Sequence, residues 1–258
     1  MTYLEASVVG LIQGVTELFP ISSLGHNVLI PALIGGSWAR DLSVSRPESP
    51  YLAFIVGLHV ATAIALFAYF WRDWIRIIKG FFTSLWQRRV ATTEQKMAWM
   101  IIIATIPVGL VGLVFEHEFR VLFGKPIRAA IFLVVNGVIL YAGERFRTRR
   151  SRNADAELAE DREHSARQAE PGVPLHASGQ RAAQQLELSR AVQADQRLAG
   201  IGYLQALAIG SVQILALLAG ISRDGVTMVA GMARGLSRED AARFAFLLAT
   251  PVILAAGV

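Results

Sequence analysis

Gln13-Gly14-Val15-Thr16-Glu17-Leu18-Phe19-Pro20-Ile21-Ser22-Ser23-Leu24-Gly25-His26 decides the fold, because it sets an amide, a carboxylate, hydroxyls and an imidazole inside apolar sequence. The apolar blocks on either side, 4–19 and 22–35, are broken at Phe19-Pro20. Proline offers no backbone N–H and cannot continue the preceding helix. An interrupted helix leaves backbone groups unpaired in lipid, which is tolerated only where protein or a water-filled cavity surrounds them. The stretch therefore reads as a broken membrane helix folded around a polar site.

Further apolar blocks run over 51–70, 97–115, 128–143, 201–218, 222–236 and 240–257. Hydrophobic residues make up 53% of the 258, above the usual range for soluble domains. Crossing a hydrocarbon core of ~30 Å takes roughly 20 helical residues. Tyr51–Phe70, Met97–Phe115, Arg128–Gly143 and Ala241–Gly257 read as plain spans. Blocks 201–218 and 222–236 form a second interrupted pair, broken at Ala219-Gly220. At a constant offset of 200 residues, Gly10, Gln13, Leu18, Ile21, Ser22 and Gly25 match Gly210, Gln213, Leu218, Ile221, Ser222 and Gly225. The expected fold class is an all-α, polytopic integral membrane bundle with two inverted-topology repeats, each containing a broken re-entrant helix pair. Broken helices at corresponding places in two halves point to a site near the midplane.

The net charge of +5 resides in connecting segments, with no aromatic-interleaved patch, so nucleic acid is excluded as a partner. Basic loops between apolar helices fit the positive-inside rule. Segment 71–96 carries Arg72, Arg76, Lys79, Arg88, Arg89 and Lys96, and segment 144–200 opens with Arg145, Arg147, Arg149, Arg150 and Arg152. Both are expected on the cytoplasmic side, with 36–50 and 116–127 outside. The first broken pair then enters from outside and the second from the cytoplasm. Three regions result: a first membrane repeat over 1–143, a charged insertion over 144–200, and a second membrane repeat over 201–258 with a C-terminal continuation expected. Within the insertion, 151–199 is rich in Ala, Glu, Gln, Arg and Ser around Pro171-Gly172-Val173-Pro174, a composition for a disordered or loosely helical segment without catalytic role. Met1 to Glu5 lacks a basic region, and Gln13 and Glu17 interrupt the apolar run, so the first helix is expected to be retained rather than cleaved. The absence of cysteine excludes disulfides, iron–sulfur clusters and thiol catalysis.

Gln13 and Glu17, four apart, share one helix face, while Ser23 and His26, three apart, share the first turn of the next helix. Free N–H groups at that helix start favour an anion. The second break reads Ala219-Gly220-Ile221-Ser222-Arg223-Asp224-Gly225-Val226-Thr227. A charge such as Arg223 near the bilayer centre costs at least ~2.5 kcal/mol and needs a partner or a function. Its guanidinium suits phosphate oxygens, and with Ser222 and Thr227 it reads as a phosphate cradle. Simpler roles exist: Ser22, Ser23 and Thr227 as helix caps, Glu17 and Arg223 as a structural ion pair, Asp224 as a partner of Arg223. His59 reads as a packing residue, and Glu116-His117-Glu118 as interfacial rather than metal-binding.

These motifs resemble the undecaprenyl diphosphate phosphatases, the membrane family associated with bacitracin resistance. Gln13, Glu17, Pro20, Ser22, Ser23, Gly25 and His26 match the family's first motif. Gly220, Ser222, Arg223, Gly225 and Thr227 match its second, with Ala219 in place of the usual proline and Asp224 where serine is common. Leu58-His59-Val60-Ala61-Thr62 and Phe246-Leu247-Leu248-Ala249-Thr250-Pro251 are also similar. The resemblance implies hydrolysis of undecaprenyl diphosphate to the monophosphate and inorganic phosphate, recycling the lipid carrier for peptidoglycan synthesis in a bacterial plasma membrane. It implies Ser23 as nucleophile and His26 as general base, with His26 as nucleophile the competing assignment. Ser22, Ser222, Arg223 and Thr227 would bind phosphate, and a divalent cation, Mg2+ or Ca2+, would sit near Glu17 and Gln13. The expected partners are a polyprenyl diphosphate, the bilayer and, as one option, a second copy in a homodimer. A transporter of polyprenyl phosphate using the same pocket is the alternative.

Overall fold

The computed structural model describes residues 1–44, 49–115, 118, 125–166 and 196–256, with the side chains of 150–166 and 256 outside the description. Among the described residues the chain is all-helical, without a strand. The order is α1 Tyr3–Leu18, α2 Ser23–Ile34, α3 Gly36–Asp41, α4 Pro50–Tyr69, α5 Trp71–Gln87, α6 Thr93–Val114 and α7 Pro126–Ala166. Then come α8 Tyr203–Ser211, a 3₁₀ stretch over Val212–Leu217, α9 Arg223–Ala233 and α10 Arg238–Ala256.

Among the described residues, three helical segments are long and apolar enough to cross a membrane: Pro50–Tyr69, Thr93–Val114 and Pro126–Arg149. Their outward faces stay apolar, with Ile64, Leu110, Leu113, Val134 and Val138 exposed. Gln13, Asn27, Asn136, Gln213, Asp224 and Thr227 are buried instead. A water-soluble domain does the reverse. α10, expected as a fourth plain span, opens with Arg238, Glu239, Asp240 and Arg243, which shortens its apolar length. Segment 71–96, read from charge as a basic loop, is largely the helix α5. Trp74, Ile77, Gly80 and Ser84 recur three and four apart on its buried side, and Trp99 of α6 donates its indole N–H to Ser84 Oγ at 3.0 Å. Arg72, Arg76 and Lys79 of this segment thus share one helix with this 3.6-residue period.

α7 continues to Ala166, so the insertion begins as helix, whereas 167–195 lies outside the described residues. Glu116 and His117 also lie outside them. Ion pairs gather the two basic segments at one end of α10. Arg243 meets Asp73 at 2.8 Å, Arg238 meets Glu144 at 2.5 Å, and Arg197 holds buried Asp240 at 2.8 Å.

Both interruptions are made by defined backbone geometry. In the first, Phe19 is extended and Ser22 takes φ 69°, a left-handed angle uncommon for a side-chain-bearing residue. In the second, Leu218 is extended and Gly220 takes φ 114°, a conformation glycine adopts without steric cost. The breaks pack on each other. A Cβ on Gly25 would lie 2.7 Å from Gly220 Cα, and one on Gly225 would lie 3.1 Å from Pro20 O. Asn136 of α7 joins them: its Nδ2 donates to Pro20 O at 3.2 Å, and its Oδ1 accepts from Ser222 N–H at 2.9 Å.

Candidate active site

A cavity of about 300 Å³ lies where the breaks meet, lined by residues of both breaks together with α4, α6 and α10. Glu17, one residue before the end of α1, is its hub. Oε1 accepts from Arg223 at 2.8 Å. Oε2 accepts a short hydrogen bond from Ser23 Oγ and another from Gln13 Nε2 at 3.3 Å. Gln13 is oriented in turn by Asn27, whose Nδ2 donates to Gln13 Oε1 at 3.1 Å, while Tyr51 O–H donates to Asn27 O at 2.7 Å. Each donor of this buried chain fixes the next acceptor, which pre-sets Glu17 without movement.

Ser22 and Ser222 cap α2 and α9, their hydroxyls accepting from Gly25 N–H at 3.4 Å and Gly225 N–H at 3.2 Å. Both line the cavity, as do Ser23, Glu17 and Arg223. Three of the residues singled out in the sequence are directed elsewhere. Thr227 donates its hydroxyl to Arg223 O at 2.7 Å, one turn back in α9. The His26 ring bonds Ser22 O through Nδ1 at 2.7 Å and does not line the cavity. Gln13 faces Glu17 from behind, also outside the lining.

His59, read as packing, stands in the position expected of His26. Its Nε2 lies 3.4 Å from Ser23 Oγ and 3.5 Å from Glu17 Oε2, and its Nδ1 is 2.8 Å from Ile55 O. A carbonyl at Nδ1 calls for a proton there, so in the neutral ring Nε2 is the acceptor. Only the third dimension places α4 beside the first break; the sequence held no spacing between His59 and Ser23 to find it by. Gln213 is the repeat mate of Gln13 in the sequence. It is buried, it lines the cavity, and neither amide atom has a hydrogen-bond partner.

Gln13 and Glu17 do not fit a resident cation as they stand. Both Glu17 oxygens are engaged by donors, one of them a guanidinium, and Gln13 presents its NH2 rather than its oxygen. Among the described residues no group of three or more His, Cys, Asp or Glu is arranged to hold a metal ion.

Residues 6–169 and 172–258 match the family model described as bacitracin resistance protein BacA. The chain belongs to the BacA family. It is 57% identical over 258 residues to the undecaprenyl-diphosphatase of Mycolicibacterium paratuberculosis, covering 100% of this chain and 77% of that protein. It is 52% identical over 274 residues to undecaprenyl-diphosphatase 2 of Frankia alni, covering 100% of this chain and 80% of that one. Undecaprenyl-diphosphatase 2 of Chromobacterium violaceum is 36% identical over 258 residues, covering 100% of this chain and 75% of that protein. The BacA match spans both breaks, so the residues around the cavity fall within the family's shared portion.

Proposed function

We propose that the chain hydrolyses undecaprenyl diphosphate to undecaprenyl phosphate and inorganic phosphate, as the names of its relatives describe for them. The observation that carries the reading is the meeting of Ser23, Glu17 and Arg223 in one cavity between two helix starts. Phosphoryl transfer demands positioning and charge neutralisation more than covalent variety, and this cluster supplies both. The prenyl tail remains in lipid, and the diphosphate enters the polar cavity. In the cell this activity recycles the lipid carrier for peptidoglycan synthesis, in a multi-pass protein of the plasma membrane with its ion-paired, basic end in the cytoplasm.

Ser23 Oγ attacks the terminal phosphorus, breaking the bond to the bridging oxygen and releasing prenyl monophosphate, which leaves as an anion and needs no proton. His59 Nε2 takes the Ser23 proton. The imidazole takes this part because the Glu17 carboxylate is already committed to Arg223. Arg223 holds the terminal phosphate, with the N–H groups at the starts of α2 and α9 adding favourable dipoles. Water then attacks the phosphoserine and breaks the bond from phosphorus to Ser23 Oγ, His59 returns its proton to Ser23 Oγ, and both protons of the water depart on the phosphate as dihydrogenphosphate. No step passes through a divalent cation.

The reciprocal contact of the breaks supports the two-repeat reading: Gly25 meets Gly220 while Gly225 meets Pro20, the exchange expected of two equivalent units around a pseudo-twofold axis. The test is phosphate release from a long-chain prenyl diphosphate in detergent, by the wild type and by Ser23→Ala. Release by the wild type alone, with a trapped phosphoserine, is the expected result. Absence of release, with prenyl phosphate still crossing vesicles that contain the protein, would sink the hydrolase and favour the transporter.

A further inference from the structure

Gln213 and Gln13 occupy matched places in the two broken pairs, and their surroundings differ sharply. Gln13 sits on regular α1 with its amide nitrogen on Glu17 at 3.3 Å and its oxygen on Asn27 at 3.1 Å. Gln213 is equally buried, at 1% exposure for each, and both of its amide atoms lack a partner. A buried amide is ordinarily hydrogen-bonded, and one left without partners destabilises the protein that carries it.

The local backbone accounts for the difference. α8 ends at Ser211 and tightens into the 3₁₀ stretch Val212–Leu217. With three residues per turn, positions three apart eclipse, and Gln213 and Ala216 both face the cavity. A continued α-helix would swing their side chains apart by about 60° relative to each other. Arg223 also lines the cavity, with its Nε 3.6 Å from Asp224 Oδ1, an ion pair beyond hydrogen-bond length. Gln213, Arg223 and Ser23 thus line one cavity from three elements, and of these the Gln213 amide is without any partner.

We propose that Gln213 is a substrate-binding residue, its Nε2–H donating to an oxygen of the terminal phosphate opposite Arg223, so that the phosphorus is clamped between the two. The proposal rests on the phosphatase reading for the identity of the anion. The two glutamines then divide the work: Gln13 orients Glu17 from behind, and Gln213 meets the ligand directly. The hydrogen bonds of Gln13 use both ends of its amide, whereas the Nε2–H of Gln213 is kept for the diphosphate.

The test compares Gln213→Leu with the wild type in detergent, using farnesyl diphosphate as the probe. Because the amide has no protein partner to lose, Gln213→Leu is expected to unfold at the wild-type temperature or above it. Binding is measured without turnover in the Ser23→Ala background. There Gln213→Leu is expected to weaken farnesyl diphosphate at least about tenfold, the scale of a hydrogen bond to a charged group. In otherwise wild-type protein the loss is expected chiefly in KM rather than kcat. Unchanged binding in Gln213→Leu overturns the proposal, as does a lowered unfolding temperature, which would reveal an internal partner. A wild type that binds the diphosphate but releases no phosphate sinks the phosphatase reading and leaves the binding comparison intact.

Discussion

Glu17 and Arg223 stand 206 residues apart in the chain and 2.8 Å apart in space. Their side chains are 10% and 16% exposed, so neither charge is well hydrated and each depends on the other. Removing one partner of a buried pair leaves an uncompensated charge and costs about 3–5 kcal/mol, whereas replacing both is often close to neutral. Arg223→Ala and Glu17→Gln are each expected to lower the unfolding temperature in detergent. The double variant is expected to recover much of that loss while turnover remains at least about a thousandfold down, as for other arginines on a transferring phosphoryl group. Additive stability losses in the double variant would show that the two side chains are not coupled.

His59 carries the second prediction. With Nε2 at 3.4 Å from Ser23 Oγ, its loss removes the acceptor for the serine proton. His59→Gln is expected to reduce kcat by about 10²–10⁴, with KM and unfolding temperature little changed. Turnover of His59→Ala should recover in part on addition of imidazole. His26, bonded to the backbone at Ser22 O at 2.7 Å, is expected to show no such rescue when replaced by alanine, its loss acting through the first break. Rescue of His26→Ala with none for His59→Ala would exchange the two roles.

Much of this was legible in the sequence, for reasons that can be named. Proline and glycine at Phe19-Pro20 and Ala219-Gly220 mark breaks because their backbone chemistry is local. Gln13 and Glu17 share a helix face because four residues make about one turn, and the structure indeed joins them at 3.3 Å. The offset of 200 pointed to corresponding sites, and the two breaks do pack together. What stayed hidden depends on which helix neighbours which. His59 reaches Ser23 only because α4 lies beside the first break, and Asn136 reaches both breaks only because α7 crosses them. The direction of a side chain was hidden as well: Ser23 and His26 share a turn, yet the His26 ring folds back onto its own helix.

Asn136 supplies the third prediction. One amide satisfies the carbonyl of Pro20 and the N–H of Ser222, at 3.2 and 2.9 Å, and it is itself buried. Asn136→Leu would leave both backbone groups unpaired where water is scarce, at about 1–3 kcal/mol each. Loss of several degrees in unfolding temperature is expected, together with reduced turnover, because the breaks lose their common tether. Asn136→Asp keeps the acceptor for Ser222 N–H and loses the donor to Pro20 O, so it should fall between wild type and leucine in stability. An Asn136→Leu protein with wild-type stability would show that the packing of Gly25 on Gly220 alone holds the breaks together.

The last prediction concerns divalent cations. Glu17 already accepts from Arg223, Ser23 and Gln13, so a cation entering the free protein must displace the guanidinium and meet the NH2 of Gln13. Hard cations such as Mg2+ favour a carboxylate or two plus phosphate oxygens over sites built from protein alone. The protein without diphosphate is therefore expected to bind Mg2+ or Ca2+ no more tightly than millimolar, by equilibrium dialysis in detergent. Arg223→Ala frees Oε1 of Glu17 and should bind Ca2+ more tightly than the wild type. Glu17→Gln in the same background should abolish the gain. Micromolar binding to the wild type, lost in Gln13→Ala, would mean that the amide turns its oxygen inward and that Gln13 and Glu17 do form a cation site.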